Sequence, residues 1–155
     1  MKTLILYASK YGAAKETARR IADKMGGDAL VCDLKQNNIP PLSGFDCVII
    51  GSSVYAGSLR SEAKAFAAKH ADELCTKTLG LYISGFSEDE GYFAKNYPSK
   101  VVQSAKATAF PGGIFDPKKA NVIERLIIKI IMKSAEYADK IDDEKISEFA
   151  VRMRK

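Results

Sequence analysis

The sequence predicts an α/β domain built on a doubly wound, mainly parallel sheet of five strands with helices on both faces. Three observations carry this. Short, near-continuous apolar runs recur along the chain, segments of helical period separate them, and loops rich in Gly and Ser follow their ends. Strands that alternate with helices need crossover connections, which lay helices over both faces of a parallel sheet.

Residues 3–8 (TLILYA) read as the first strand. Ala14, Ala18, Ile21, Ala22 and Met25 then recur at helical spacing and form one apolar stripe. Gly26 and Gly27 interrupt it, and 29–34 (ALVCDL) gives the second strand. The stretch 35–45 (KQNNIPPLSGF) is broken by Pro40 and Pro41, so a short crossover is expected there instead of a long helix. Residues 47–51 (CVIIG) form the third strand and 79–84 (LGLYIS) the fourth. Between them Ala63, Phe66, Ala67, His70 and Leu74 mark a helical stripe, with His70 packed at the core edge. Ser87 and Glu90 have the spacing of a capping box opening a helix. The fifth strand, 107–114 (ATAFPGGI), contains Pro111, which cannot donate to a ladder and so places this strand at an edge.

Two helices complete the chain. In 122–132 (VIERLIIKIIM), Val122, Ile123, Leu126, Ile127, Ile130 and Ile131 cover one half of a helical wheel, a face expected to pack on the sheet. Arg125, Lys129 and Lys133 form a basic stripe that Ile128 and Met132 flank. That border of apolar and basic side chains also suits an anionic membrane surface, so 122–133 is a candidate peripheral membrane contact. The last helix opens on Asp142, Asp143 and Glu144 and closes on Arg152, Arg154 and Lys155, which complements its dipole.

Composition bounds the function. A chain of 155 residues, 46% hydrophobic and 28% charged, has the size and mixture of one globular domain spanning 1–155. No apolar run approaches the roughly 20 residues that span a bilayer, and the N-terminus lacks a secretory pattern, so a cytoplasmic setting is expected. Cys32, Cys47 and Cys75 contain no C-x-x-C pair and suit a reducing compartment. A single histidine disfavours a metal site, and none is expected. The net charge of +5 suits an acidic partner or anionic lipid. No segment interleaves aromatic and basic residues, so nucleic acid is not an expected partner.

Open parallel sheets bind ligands beyond the carboxyl ends of their strands. Three loops lie there. Ser9-Lys10-Tyr11-Gly12-Ala13-Ala14 suits a phosphate: a hydroxyl, a glycine that admits close backbone approach, the free N–H groups of a helix start, and charge from Lys10 and Lys15. Gly51-Ser52-Ser53-Val54-Tyr55-Ala56-Gly57 and Ser84-Gly85-Phe86-Ser87 supply hydroxyls, backbone groups and the aromatics Tyr55 and Phe86, which with Tyr92 can stack on a planar ring. Other phosphate chemistries fail. There is no G-x-G-x-x-G after the first strand and no G-K-[ST]. The third strand ends in Gly51-Ser52, not in a phosphoacceptor aspartate, and no cysteine nucleophile follows the first strand. No residue reads as a dedicated acid, base or nucleophile, so no catalytic residue is assigned.

On these residues the chain resembles the flavodoxin family, whose first loop is a hydroxyl-rich T/S-x-T-G-x-T. Ser9 and Gly12 match it, Tyr11 and Ala14 replace hydroxyl residues, and Thr17 one turn on is a candidate substitute donor. The segments MKTLILYAS, VIIGSSVYAG, AFAAKHADEL and LIIKIIMKS (126–134) resemble, in the same order, the menaquinone-dependent protoporphyrinogen dehydrogenase branch of flavodoxin-domain proteins. The resemblance implies strand order 2-1-3-4-5, FMN as cofactor, and binding through Ser9 to Ala14, Ser52 to Gly57 and Ser84 to Phe86. It leaves three functions open: an electron carrier serving a redox partner protein, an FMN-dependent oxidoreductase coupled to a quinone, and a flavin-free interaction module. A quinone partner implies a location at the inner membrane surface.

Overall fold

The structure is a computed structural model that describes residues 1–133 and 136–155, without the side chain of Ile131. β1 (Thr3–Ala8) is followed by α1 (Ala13–Met25), β2 (Ala29–Asp33) and β3 (Cys47–Tyr55). β4 (Ser58–Leu59) folds back antiparallel on the end of β3, and α2 (Ser61–Lys69), α3 (Ala71–Leu74) and β5 (Thr78–Ser84) follow. Then come α4 (Gly91–Asn96), α5 (Ser99–Ser104), β6 (Ala105–Gly112), β7 (Ile114–Phe115), α6 (Val122–Met132), β8 (Ala138–Asp139) and α7 (Asp143–Arg154).

β2, β1, β3, β5 and β6 pair in that order, all parallel, which is 2-1-3-4-5 when only these strands are counted. β6 stands at the edge, as Pro111 requires. The crossover through 35–45 contains one 3-10 turn, Leu42–Gly44. Successive strand residues face opposite sides. Leu4, Leu6, Val48, Ile50 and Leu81 therefore meet Leu74, Phe93 and Val101 from α3–α5 on one face. Ile5, Ile49 and Tyr82 meet Ala18 and Ile21 of α1 and Phe149 and Met153 of α7 on the other.

Tyr82 does more than fill space. Its partner across the β3–β5 ladder is Gly51, and the Tyr82 ring lies in the volume that a Gly51 side chain would take. From there the fully buried hydroxyl donates to Ala14 O at 2.7 Å, in the first turn of α1. Strand β5 thus holds the start of α1 across β3.

Three expectations are corrected. The apolar half of α6 does not pack on the sheet: Val122, Ile123, Leu126, Ile127 and Ile130 are 77%, 70%, 60%, 50% and 74% exposed. Both sheet faces are already covered, by α1 with α7 and by α2–α5, so no apolar surface is left for this helix. Instead Glu124, Ile128 and Met132, the residues at i, i+4 and i+8, turn inward and are partly buried. The expectations at the Ile131 side chain and at Ser134 lie outside the described residues. Second, Ser87 and Glu90 form no capping box. The helix starts at Gly91, whose N–H is taken by Asp89 Oδ1 at 2.8 Å, while Glu88 pairs with Lys145. A capping box does exist elsewhere, between Asn121 and Glu124. Third, Thr17 is no substitute phosphate donor, because its hydroxyl is buried against Ser84 Oγ at 3.1 Å.

Candidate functional site

The carboxyl ends of β1, β3, β5 and β6 open on a cavity of about 360 Å³. Its wall takes Lys10, Tyr11 and Ala13 from the first loop, Ser53 to Gly57 from the second, and Ser84 to Ser87 from the third. Tyr92, Ile114, Phe115 and Ala120 extend it, and Ile123, Glu124, Ile127 and Ile128 of α6 cover one side. The three loops singled out in the sequence therefore meet at one place. Ser9, Gly12, Ala14 and Ser52 do not line it. Ser52 is fully buried; its hydroxyl accepts from Arg60 N–H at 2.9 Å and donates to Ser53 O at 3.0 Å, which supports the second loop from behind.

The first loop is shaped for an anion. Gly12 has φ 99°, a left-handed conformation that lets its N–H turn back to Ser9 Oγ at 2.9 Å. Ser9 keeps its own O–H proton for another acceptor. The first backbone donor within α1 is Glu16 N–H, to Gly12 O at 3.0 Å, so among the described residues the N–H groups of Ala13, Ala14 and Lys15 have no acceptor. These groups and the helix dipole favour negative charge.

Three ammonium groups gather on the same loop. Lys35 Nζ donates to Ser9 O at 3.2 Å and Lys119 Nζ to Tyr11 O at 3.5 Å. Lys10 Nζ lies 3.3 Å from the centroid of the Tyr55 ring, a cation–π contact, and 2.8 Å from Glu124 Oε1. Lys15, counted on in the sequence, is exposed. Lys35 and Lys119 were missed because they come from the β2–β3 crossover and from the turn before α6; only tertiary structure brings them together.

Glu124 is the carboxylate at this cluster. It accepts from Tyr11 O–H at 2.6 and 2.5 Å, from Lys10 and, at 3.1 Å, from Asn121 N–H. Burial pushes its carboxyl up, but these donors outweigh burial and hold it at about 2, so it is ionised at ordinary pH. Burial alone would lower the Lys10 ammonium, and Glu124 with the neighbouring tyrosines raises it above the usual lysine range. The Tyr11 hydroxyl is raised by burial and then by Glu124, so it stays a donor.

His70 sits on neither the cavity nor a metal cluster. Its ring packs on Phe66 at 4.4 Å between centroids, with Glu73 3.9 Å from Nδ1. Among the described residues no group of His, Cys, Asp and Glu could hold a metal. No helix there is long and apolar enough to cross a membrane.

A flavodoxin domain model matches residues 4–142, nearly the whole of this architecture. The chain belongs to the flavodoxin domain family. Solved flavodoxins superpose on this flavodoxin domain along almost its full length. Flavodoxin 2 of Bacillus cereus does so with TM-score 0.63 at 22% identity, covering 99% of this chain and 98% of the other. A Fusobacterium nucleatum flavodoxin variant bound to flavin mononucleotide gives TM-score 0.56 at 13% identity, covering 99% and 96%. In sequence, the flavodoxin domain is 26% identical over 144 residues to protoporphyrinogen IX dehydrogenase (quinone) of Escherichia coli K12, covering 86% of this chain and 80% of that protein.

Proposed function

We propose that this flavodoxin domain binds FMN and works as an electron-transfer protein. One observation carries the reading: a loop with three unpaired N–H groups and three ammonium groups opens onto a cavity walled by Tyr55, Phe86 and Tyr92. A flat, largely apolar ring bearing a phosphate fits that division. Ser9, Lys10, Tyr11, Gly12, Ala13 and Ala14, with Lys35 and Lys119, would hold the phosphate. Ser53, Val54, Tyr55, Ala56 and Gly57, with Ser84, Gly85 and Phe86, would hold the ring and its chain, and Ser52 would brace them. FMN supplies redox chemistry at its ring; the chain binds it, orients it and, through Ile123, Ile127 and Ile128, keeps water off one side. The unpaired donors at the loop argue against a flavin-free module. The expected result is one flavin per chain, with FMN bound at least about a hundredfold more tightly than riboflavin, the scale of several charge-assisted hydrogen bonds. Flavin fluorescence titration measures both, and equal affinities would refute the phosphate site.

The second reading is an FMN-dependent oxidoreductase coupled to a quinone, supported by the Escherichia coli relative and by the outward apolar face of α6. At about 100° per residue, Val122, Leu126 and Ile130 span the side opposite the inward Glu124 and Ile128, Ile123 and Ile127 turn from that face toward the cavity, and Arg125 and Lys129 lie along the other border. An apolar face bordered by cations suits reversible attachment to an anionic inner membrane surface, where a quinone partner resides. Sedimentation with anionic vesicles at low salt is expected to capture the protein, and added salt to release it, since each basic residue contributes about 1 kcal/mol. Leu126→Asp with Ile130→Asp is expected to abolish capture. Binding that ignores both lipid charge and these substitutions would leave a carrier of electrons between soluble proteins.

A further inference from the structure

The first loop projects two side-chain donors toward the cavity, the Lys10 ammonium and the Tyr11 hydroxyl, and both are already engaged by Glu124. The Tyr11 hydroxyl has one proton, so it cannot serve a second anion while the carboxylate holds it, and the Lys10 ammonium already shares its charge with that carboxylate. A carboxylate at that position also repels any phosphate approaching the N–H groups of Ala13, Ala14 and Lys15. On the far side, little else fastens the helix. Among the described residues, Arg125 Nε donates at 3.2 Å to Ala120 O in the turn just before the helix, and Glu124 alone links α6 by side-chain hydrogen bonds to the first loop. The outer side of α6 is largely bare, with Val122, Leu126 and Ile130 77%, 60% and 74% exposed.

We propose that Glu124 is a specificity-determining residue, an internal anion that competes with the cofactor phosphate for Lys10 and Tyr11. Phosphate binding and the docking of α6 therefore oppose one another. Glu124 narrows the preference of the site for phosphorylated over unphosphorylated flavin, and a bound phosphate unlatches α6. The capping box with Asn121 lies within the helix segment, so α6 keeps its start when the latch opens. This inference rests on the FMN reading above.

Glu124→Gln tests it, because glutamine keeps the cap and the shape while removing the charge. Fluorescence titration of both proteins with FMN and with riboflavin is the measurement. FMN affinity is expected to rise roughly tenfold in the variant, the scale of one charge-assisted hydrogen bond regained, with riboflavin affinity unchanged. Trypsin gives a second measurement on the native protein. FMN is expected to speed cleavage after Arg125 and Lys129, and riboflavin to leave it unchanged. Equal changes for the two flavins, a selective loss of FMN affinity, or protection of α6 by FMN would each overturn the competition while leaving the cofactor reading intact. Failure of the unaltered protein to bind FMN would overturn both.

Discussion

Gly51→Ala is expected to destabilise the protein by about 3 kcal/mol or more, combining overpacking with loss of a buried hydrogen bond. A Cβ at this position would fall 1.7 Å from Cζ of Tyr82 and 2.2 Å from its hydroxyl oxygen. Real contacts never approach so closely, and the obstacle is a rigid ring, not the end of a flexible chain. The ring is fully buried between α1, α7 and the sheet, so it has nowhere to retreat. Moving it aside breaks the 2.7 Å bond to Ala14 O and frees the start of α1, which carries the unpaired N–H groups of the first loop. Flavin binding is thus expected to fall with stability in this variant. Gly44→Ala is the control, since a Cβ there meets nothing within 4 Å and the backbone needs no left-handed conformation. Urea denaturation compares the two. A Gly51→Ala protein as stable as Gly44→Ala would show that Tyr82 can repack, and the tether from β5 to α1 would lose its importance.

The strands were legible because a parallel strand covered on both faces must be apolar throughout, which marks TLILYA and CVIIG without any partner in view. The edge position of β6 followed from one missing donor at Pro111. Helix α6 was legible as a helix but not in its placement. Amphipathic periodicity records that an apolar face exists, not what covers it, and the sheet had no uncovered face left to offer. The site divides in the same way. Loops that follow strand ends could be found by position, so the first, second and third loops were anticipated. Lys35, Lys119 and Glu124 come from segments remote in sequence, and each reads alone as an ordinary surface charge. Tyr82 was hidden for the opposite reason: inside an apolar run its hydroxyl gives no sign of its bond to α1.

Gly12→Val is expected to weaken FMN binding about a hundredfold or more while costing only about 1–2 kcal/mol of folding stability. Gly12 has φ 99° and ψ −5°, a conformation that a β-branched residue adopts only under strain. Space is not the main obstacle, because a Cβ would have Lys119 Nζ, 4.0 Å away, as its nearest neighbour. Valine would therefore act by pulling the backbone toward negative φ. That rotation breaks the Gly12 N–H bond to Ser9 Oγ and shifts the adjoining N–H groups of Ala13 and Ala14. A valine side chain would also stand where the backbone must approach a phosphate closely. Folding suffers less, since the loop lies at the mouth of the cavity and the buried stripe Ala14, Ala18 and Ile21 remains against the sheet. Riboflavin separates the two effects, because it carries the ring without the phosphate: its affinity should fall only by the share that comes from general loosening of the site. Parallel thermal melts and titrations with both flavins decide the matter. If the melting temperature and the two affinities fell together, Gly12 would be a turn residue required for folding, and the anion site would have to rest on Lys10, Lys35 and Lys119 alone.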